Sequence, residues 1–294
     1  MTVLHSQHTL MVDTPEGQKQ MAYQCWKPLD HLPQHIVVCV HGLTRNGRDF
    51  DFLARELAQQ ALVICPDVLG RGDSERMQDA ALYGYPLYLQ QMTQLLAFLK
   101  TEYSPQQCDW VGTSMGGLIG MMLAASQSPL PLTHLVMNDV SYFIPMASLQ
   151  RIAAYVGKPQ AYHSVTEVEL HLRDIARSFG PLTDEQWHHL ALHSCEPQPG
   201  ETSGEDTLIL RYDPQIALAF SQLKGDVDLS PIWEQVRQSV LLLRGAESDL
   251  LLAETAAAMA AQDNVEMVEF DGVGHAPMLM SDDQIQVVSR YLFP

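Results

Sequence analysis

Gly112-Thr113-Ser114-Met115-Gly116 stands between a short strand-like run, residues 109–112, and a longer apolar stretch, residues 115–126. Apolar runs of those two lengths read as a buried strand and a buried helix, so the pentapeptide must turn the chain sharply from one to the other. Small flanking residues permit the close backbone approach that such a turn demands, and its apex lifts the Ser114 hydroxyl clear of the sheet. A strand that runs straight into a helix is the repeating unit of a parallel sheet, which commits the chain to an α/β architecture.

The rest of the chain repeats the alternation. Residues 8–13 and 21–26 flank Thr14-Pro15-Glu16-Gly17 as an opening hairpin, and 35–40 reads as a buried strand. A helix near 51–60, a strand at 61–66, a long helix over 87–102 and a strand at 135–139 follow. Strand and helix alternate again only from 240–244, with a helix over 251–262, a strand at 265–270 and a last helix over 282–293. Ser281 and Gln284 have capping-box spacing at the start of that helix. The pattern predicts a mostly parallel sheet with helices on both faces and ligands outside the carboxyl ends of the strands. Residues 141–232 show helix-like stretches and few strand patterns. They are expected to form a helical cap inserted into a core made of 1–140 and 233–294.

Hydrophobic residues make up 46% of the 294 residues and charged residues 18%, which supplies a core and argues against disorder. The formal charge of −18 opposes contact with nucleic acid or an anionic membrane. Cys25, Cys39, Cys65, Cys108 and Cys195 lack metal-ligand spacing and read as buried thiols. No basic leader followed by a long apolar segment opens the chain, so a soluble cytoplasmic protein is expected.

A serine hydroxyl becomes a nucleophile only beside a base. Gly274-His275-Ala276-Pro277 follows the last predicted strand in a loop marked by glycines and proline, which makes His275 the expected base for Ser114. Its acidic partner is expected to be Asp249, in Gly245-Ala246-Glu247-Ser248-Asp249 after the strand 240–244, with Glu247 beside it and Asp139 at the end of strand 135–139 as competitors. Amide donors for a developing oxyanion are expected from Met115 and from Leu43, in Val40-His41-Gly42-Leu43. His41 itself reads as a loop-bracing residue. His188, His189 and His193 read as a polar helix face rather than a zinc site, because the H-E-x-x-H pattern is missing. Arg71-Gly72-Asp73-Ser74 spells an adhesion tetrapeptide but is accounted for by the Gly-rich loop 67–74.

Val40-His41-Gly42, the segment from Asp67 to Ser74, Gly112-Thr113-Ser114-Met115-Gly116-Gly117 and Gly274-His275 together resemble the α/β-hydrolase superfamily, in that family's order and across nearly the whole chain outside the cap. The resemblance implies an eight-stranded sheet, a cap between the sixth and seventh strands, a Ser-Asp-His triad and no cofactor; the residue spacings lead to the expectation of no metal. Ser114 separates the chain from the branches whose nucleophile is aspartate. The Ser-Met-Gly-Gly form is similar to carboxylesterases, enol-lactone hydrolases, cofactor-free haloperoxidase-like enzymes and meta-cleavage-product carbon-carbon hydrolases. That leaves three readings: cleavage of small to medium, largely apolar esters; carbon-carbon hydrolysis of vinylogous diketo acids, for which Arg45, Arg151 and Arg173 are candidate carboxylate partners; and ligand binding without catalysis. Acyl transfer to an alcohol or peroxide would use the same residues.

Overall fold

Ile36-Val37-Val38-Cys39-Val40 and Leu62-Val63-Ile64-Cys65 have no polar face, which only a strand covered on both sides tolerates. A computed structural model, describing residues 2–158, 160–198, 207–222 and 224–294, shows that covering. Alternate residues of each strand sort into two cores. Ile36, Val38, Ile64, Trp110, Met137 and Leu242 belong to one, and Val37, Cys39, Cys65, Val111, Val136 and Leu243 to the other. The period of two in strand side chains builds both.

The chain begins with the hairpin β1 (Val3–Thr14) and β2 (Gly17–Pro28), longer at both ends than its apolar pattern indicated. Then come β3 (His35–Val40), α1 (Asp51–Leu57), β4 (Leu62–Pro66), α2 (Tyr85–Tyr103), β5 (Gln107–Thr113), α3 (Met115–Ala124) and β6 (His134–Asn138). Between β6 and the next long strand lie β7 (Phe143–Ile144), α4 (Met146–Ala153), β8 (Ala161–Tyr162), α5 (Val165–Ile175), α6 (Asp184–Ser194), β9 (Cys195–Pro197), β10 (Leu208–Leu210), β11 (Val227–Asp228) and α7 (Ser230–Trp233). The chain closes with β12 (Ser239–Gly245), α8 (Ala253–Ala260), β13 (Val265–Phe270) and α9 (Asp282–Leu292).

Eight strands form one sheet in the order β1-β2-β4-β3-β5-β6-β12-β13, antiparallel through β1, β2 and β4 and parallel from β4 onward. Helices α2, α3 and α8 cover one face through Leu95, Ile119 and Met259, and α1 and α9 cover the other through Leu53, Leu57, Val288 and Leu292. This is the mostly parallel sheet with helices on both faces that the alternation predicts, with the eight strands that the resemblance implies. Among the described residues, no helix is long and apolar enough to cross a membrane.

The segment between β6 and β12 contains more strand than its sequence pattern indicated. Strands β8, β10 and β9 make a three-stranded sheet, and β11 pairs with β7. Each has two or three residues, too few for an alternating pattern to register. Around α5 and α6, Val168, Leu172, Trp187 and Leu190 pack into a small core of their own, completed by Met278 and Met280 from the loop after β13. The capping box occurs at α6, where Thr183 Oγ1 accepts from Gln186 N and Gln186 Oε1 accepts from Thr183 N. At α9, Ser281 makes no such bond, and Gln284 Oε1 is already taken by Leu279 N at 2.8 Å.

Candidate active site

Parallel register gathers the site. Val40 pairs with Gly112, Thr113 with Asn138, and Asn138 with Leu243, so the first residues beyond β3, β5, β6 and β12 emerge along one edge. Ser114 and Asp139 each follow a partner of the Thr113–Asn138 pair and therefore leave the sheet side by side.

Ser114 adopts φ 51° and ψ −114°, a conformation that costs a side-chain-bearing residue on the order of 1–3 kcal/mol and that the surroundings must enforce. The flanking glycines allow this enforcement. A Cβ on Gly116 would overlap the Val40 carbonyl, and one on Gly112 would overlap the backbone of Gly116. Trp110 Nε1 also donates to Gly116 O at 2.9 Å, which ties the strand before the turn to the helix after it.

His275 Nε2 lies 3.0 Å from Ser114 Oγ, and His275 Nδ1 lies 2.8 Å from Asp139 Oδ2. The carboxylate can only accept, so Nδ1 carries the proton and Nε2 presents its lone pair to the serine. The expected pairing of His275 with Asp249 is corrected here. Asp139 is fully buried; its Oδ2 also accepts from Ser248 Oγ at 2.6 Å and its Oδ1 from Gly245 N at 2.9 Å. Asp249 lies four residues beyond the end of β12, 50% exposed, in an ion pair with Arg151 of α4. Asp139 prevails because β6 lies between β5 and β12 in the sheet, whereas the turn through Ser248 carries Asp249 away toward the inserted segment. Glu247 is not hydrogen-bonded to His275 either.

Further bonds hold the His275 loop. Asn138 Nδ2 donates to Thr113 Oγ1 (3.0 Å) and to Pro277 O (2.7 Å), which bridges the serine strand to that loop. From the inserted segment, Ser178 O accepts from Gly274 N at 2.6 Å and Ser178 Oγ donates to His275 O at 2.8 Å.

The loop after β3 is braced as expected. His41 is wholly buried, its Nε2 accepting from Val68 N at 3.0 Å and its Nδ1 donating to Gly42 O at 2.7 Å. Burial drives its pKa down to about 4, so the ring stays neutral and keeps one tautomer. Arg71 is the brace that sequence reasoning missed. Only 1% exposed, it donates to Leu43 O, Leu69 O and Tyr88 Oη, each at 2.9 Å. A buried guanidinium spent on two carbonyls and a phenol is unavailable as an adhesion motif. Burial pushes the pKa of Asp67 up to about 7 despite amide donors from Asp73 and Gly47, and these bonds knit the start of the same loop.

With its carbonyl fixed by Arg71, Leu43 presents an amide that donates to no acceptor among the described residues. Met115 occupies the first position of α3, where an amide has no partner within the helix. Both residues border the Ser114 cleft. The cleft has two chambers. One, of about 290 Å³, is walled by apolar side chains including Tyr88, Leu118, Ile144, Ile216 and Phe220. The other, of about 90 Å³, contains His275, Arg45, Asp49, Arg151 and Tyr155. Leu43, Ser114 and Ile152 border both.

The histidines of α6 lie elsewhere. His189 and His193 meet edge to face, 4.6 Å apart centre to centre, beside Asp51, whose Oδ2 is held by Arg48 at 2.6 Å. His188 faces Glu169 at 3.4 Å. All five cysteines are buried free thiols, as expected.

A strained serine at a strand-to-helix turn, a histidine after the last strand that reaches it and a buried carboxylate behind the histidine, on this sheet, define the α/β hydrolases. The chain belongs to the alpha/beta hydrolase family, whose model matches residues 37–289. Among curated proteins it is 40% identical to the 3-hydroxybutyrate-oligomer hydrolase of Cupriavidus necator, over 95% of this chain and 94% of that one. Among solved structures it is similar to an alpha/beta hydrolase from Novosphingobium aromaticivorans, with a TM-score of 0.83 and 32% identity over 98% of both chains. It is also similar to a putative hydrolase from Rickettsia typhi, with a TM-score of 0.84 and 29% identity over 99% of both.

Proposed function

We propose that the chain is a serine esterase that cleaves oligoesters of short aliphatic hydroxy acids. One observation carries the chemistry: the hydrogen-bonded series Ser114, His275, Asp139, with distances of 3.0 and 2.8 Å. Ser114 Oγ attacks the ester carbonyl as its proton passes to His275 Nε2, and Asp139 holds the ring and stabilises the imidazolium. The amides of Leu43 and Met115 receive the developing oxyanion, each contributing on the order of 3 kcal/mol to lowering the barrier. His275 then protonates the departing alkoxide, and water activated by the same ring releases the acyl group.

The substrate class rests on the curated relative, which is named for hydrolysing 3-hydroxybutyrate oligomers, and on the larger chamber, whose aliphatic and aromatic walls suit a methyl-bearing chain. Residues 141–232 serve as the cap, supplying Ile144, Ile152, Ile216 and Phe220 to that chamber. A linked triad argues against a purely ligand-binding role. The test is hydrolysis of p-nitrophenyl butyrate and of 3-hydroxybutyrate dimer and trimer by the purified protein and by Ser114→Ala. Turnover by the wild type and a loss of at least about 10⁴-fold in the variant are expected. A wild type that hydrolyses none of the three overturns the reading, as does a variant that retains full rate.

A further inference from the structure

The two chambers differ in size as well as polarity. The smaller chamber, about 90 Å³ against about 290 Å³, has the less room for a chain, so the longer part of an oligoester fits better in the larger. A linear hydroxy-acid oligoester has two unlike ends, a hydroxyl and a carboxylate, and the smaller chamber contains both arginines of the cleft.

Those arginines are not equivalent. Arg45 is committed: its Nε and Nη2 grip both oxygens of Asp49 at 2.8 and 2.6 Å, and its Nη1 donates to Ser194 Oγ at 2.9 Å. Arg151, 40% exposed, faces Asp249, 50% exposed, and Tyr155 stands beside it in the chamber wall. An exposed ion pair adds little stability, so another carboxylate can take the place of Asp249 and keep the same two-point geometry. The Arg45 pair is much less exposed, at 12% and 10%, and is held by a third bond.

We propose that Arg151 binds the terminal carboxylate of the oligoester in exchange for Asp249, so that the last ester bond of the chain lies over Ser114. The inference rests on the esterase reading above. It fixes the direction of attack. Ser114 Oγ bonds to the carbonyl carbon of the last ester, the bond from that carbon to the alcohol oxygen of the terminal unit breaks, and the alkoxide takes its proton from His275. Water then supplies hydroxyl to the shortened acyl chain and a proton to Ser114. One free hydroxy acid leaves from the carboxylate end in each cycle, while the larger chamber holds the remainder. Asp249 acts as the internal stand-in for the substrate carboxylate, which keeps Arg151 oriented between turnovers.

The experiment compares 3-hydroxybutyrate trimer, carbon-13 labelled in its carboxylate-end unit, with the methyl ester of the same trimer, using wild type, Arg151→Gln, Arg151→Lys and Asp249→Asn. The wild type is expected to prefer the free acid and to release labelled monomer first. Exchanging a charge-assisted pair for a neutral amide lowers the acid-to-methyl-ester ratio of kcat/KM in Arg151→Gln by roughly 10- to 100-fold, chiefly through KM. Arg151→Lys restores part of that ratio, and Asp249→Asn raises it by removing the competing carboxylate. Equal losses on both substrates in Arg151→Gln, or unlabelled monomer released as readily as labelled, would overturn the assignment while leaving the esterase reading intact. A wild type that cleaves p-nitrophenyl butyrate but neither trimer overturns this assignment and the oligoester substrate class, and one that cleaves neither the trimers nor p-nitrophenyl butyrate overturns the esterase reading as well.

Discussion

Replacing Asp139 by asparagine exchanges one carboxylate oxygen for an amide nitrogen at a site with no room to adapt. Asp139 is fully buried, and all three of its partners, His275 Nδ1, Ser248 Oγ and Gly245 N, are donors. Whichever way the amide turns, its nitrogen meets at least one donor. With nitrogen toward His275, the ring must accept at Nδ1, which places the proton on Nε2 and leaves no lone pair for the Ser114 proton. With nitrogen toward Gly245, an amide faces an amide and the loop must shift. The expected loss in kcat is about 10³- to 10⁴-fold, or roughly 4–5 kcal/mol of transition-state stabilisation. Asp249→Asn breaks only a half-exposed ion pair, worth about 0–1 kcal/mol, so turnover of a neutral ester should change less than about fivefold. Both variants would be assayed with p-nitrophenyl butyrate, with circular dichroism as a check on folding. A crippled Asp249→Asn beside an active Asp139→Asn would refute the assignment of the acid, and with it the argument from strand adjacency.

Two further outcomes follow from burial. His41 binds its proton at about 4 when folded and at its ordinary 6.5 when unfolded, so the stability it contributes is present above 6.5 and is lost as the pH falls toward 4. At about 1.4 kcal/mol per pH unit the loss approaches 3 kcal/mol, so the difference in urea-unfolding free energy between wild type and His41→Gln should move by about that amount between pH 7 and pH 4, and a constant difference would contradict it. In Gly116→Ala the added methyl meets the backbone carbonyl of Val40, which cannot rotate away, and a destabilisation of about 1–3 kcal/mol with loss of turnover is expected by thermal unfolding and ester assay. Unchanged melting and activity would show that the turn is looser than the geometry implies.

The features legible in the sequence are those that depend on neighbours along the chain. Gly112, Ser114 and Gly116 mark a strand-to-helix turn in the sequence: Gly112 relieves a contact with Gly116 a few positions on, although the contact Gly116 itself avoids, with Val40, is made only in the sheet. Unbroken apolar runs such as 36–40 specify strands buried on both faces, and His275 is marked by its place in a glycine-bounded loop after the last strand. The short strands β8 to β10 escaped notice because pairing across the inserted segment, and not local pattern, makes them strands.

Tertiary structure decided which groups meet. Along the chain Asp249 lies after the strand expected to carry the acid and closer to His275, while Asp139 lies on the far side of an insertion of about a hundred residues. In the sheet, β6 is the neighbour of β5, and the register of Thr113 against Asn138 delivers Asp139 beside the serine. The same holds for Arg71, which reads only as part of the Gly-rich loop 67–74 and is in fact the buried brace of Leu43. Periodicity in a sequence specifies which face of an element is buried, but hydrogen-bond partners across a sheet are set by strand order and register, which arise only when the whole core packs.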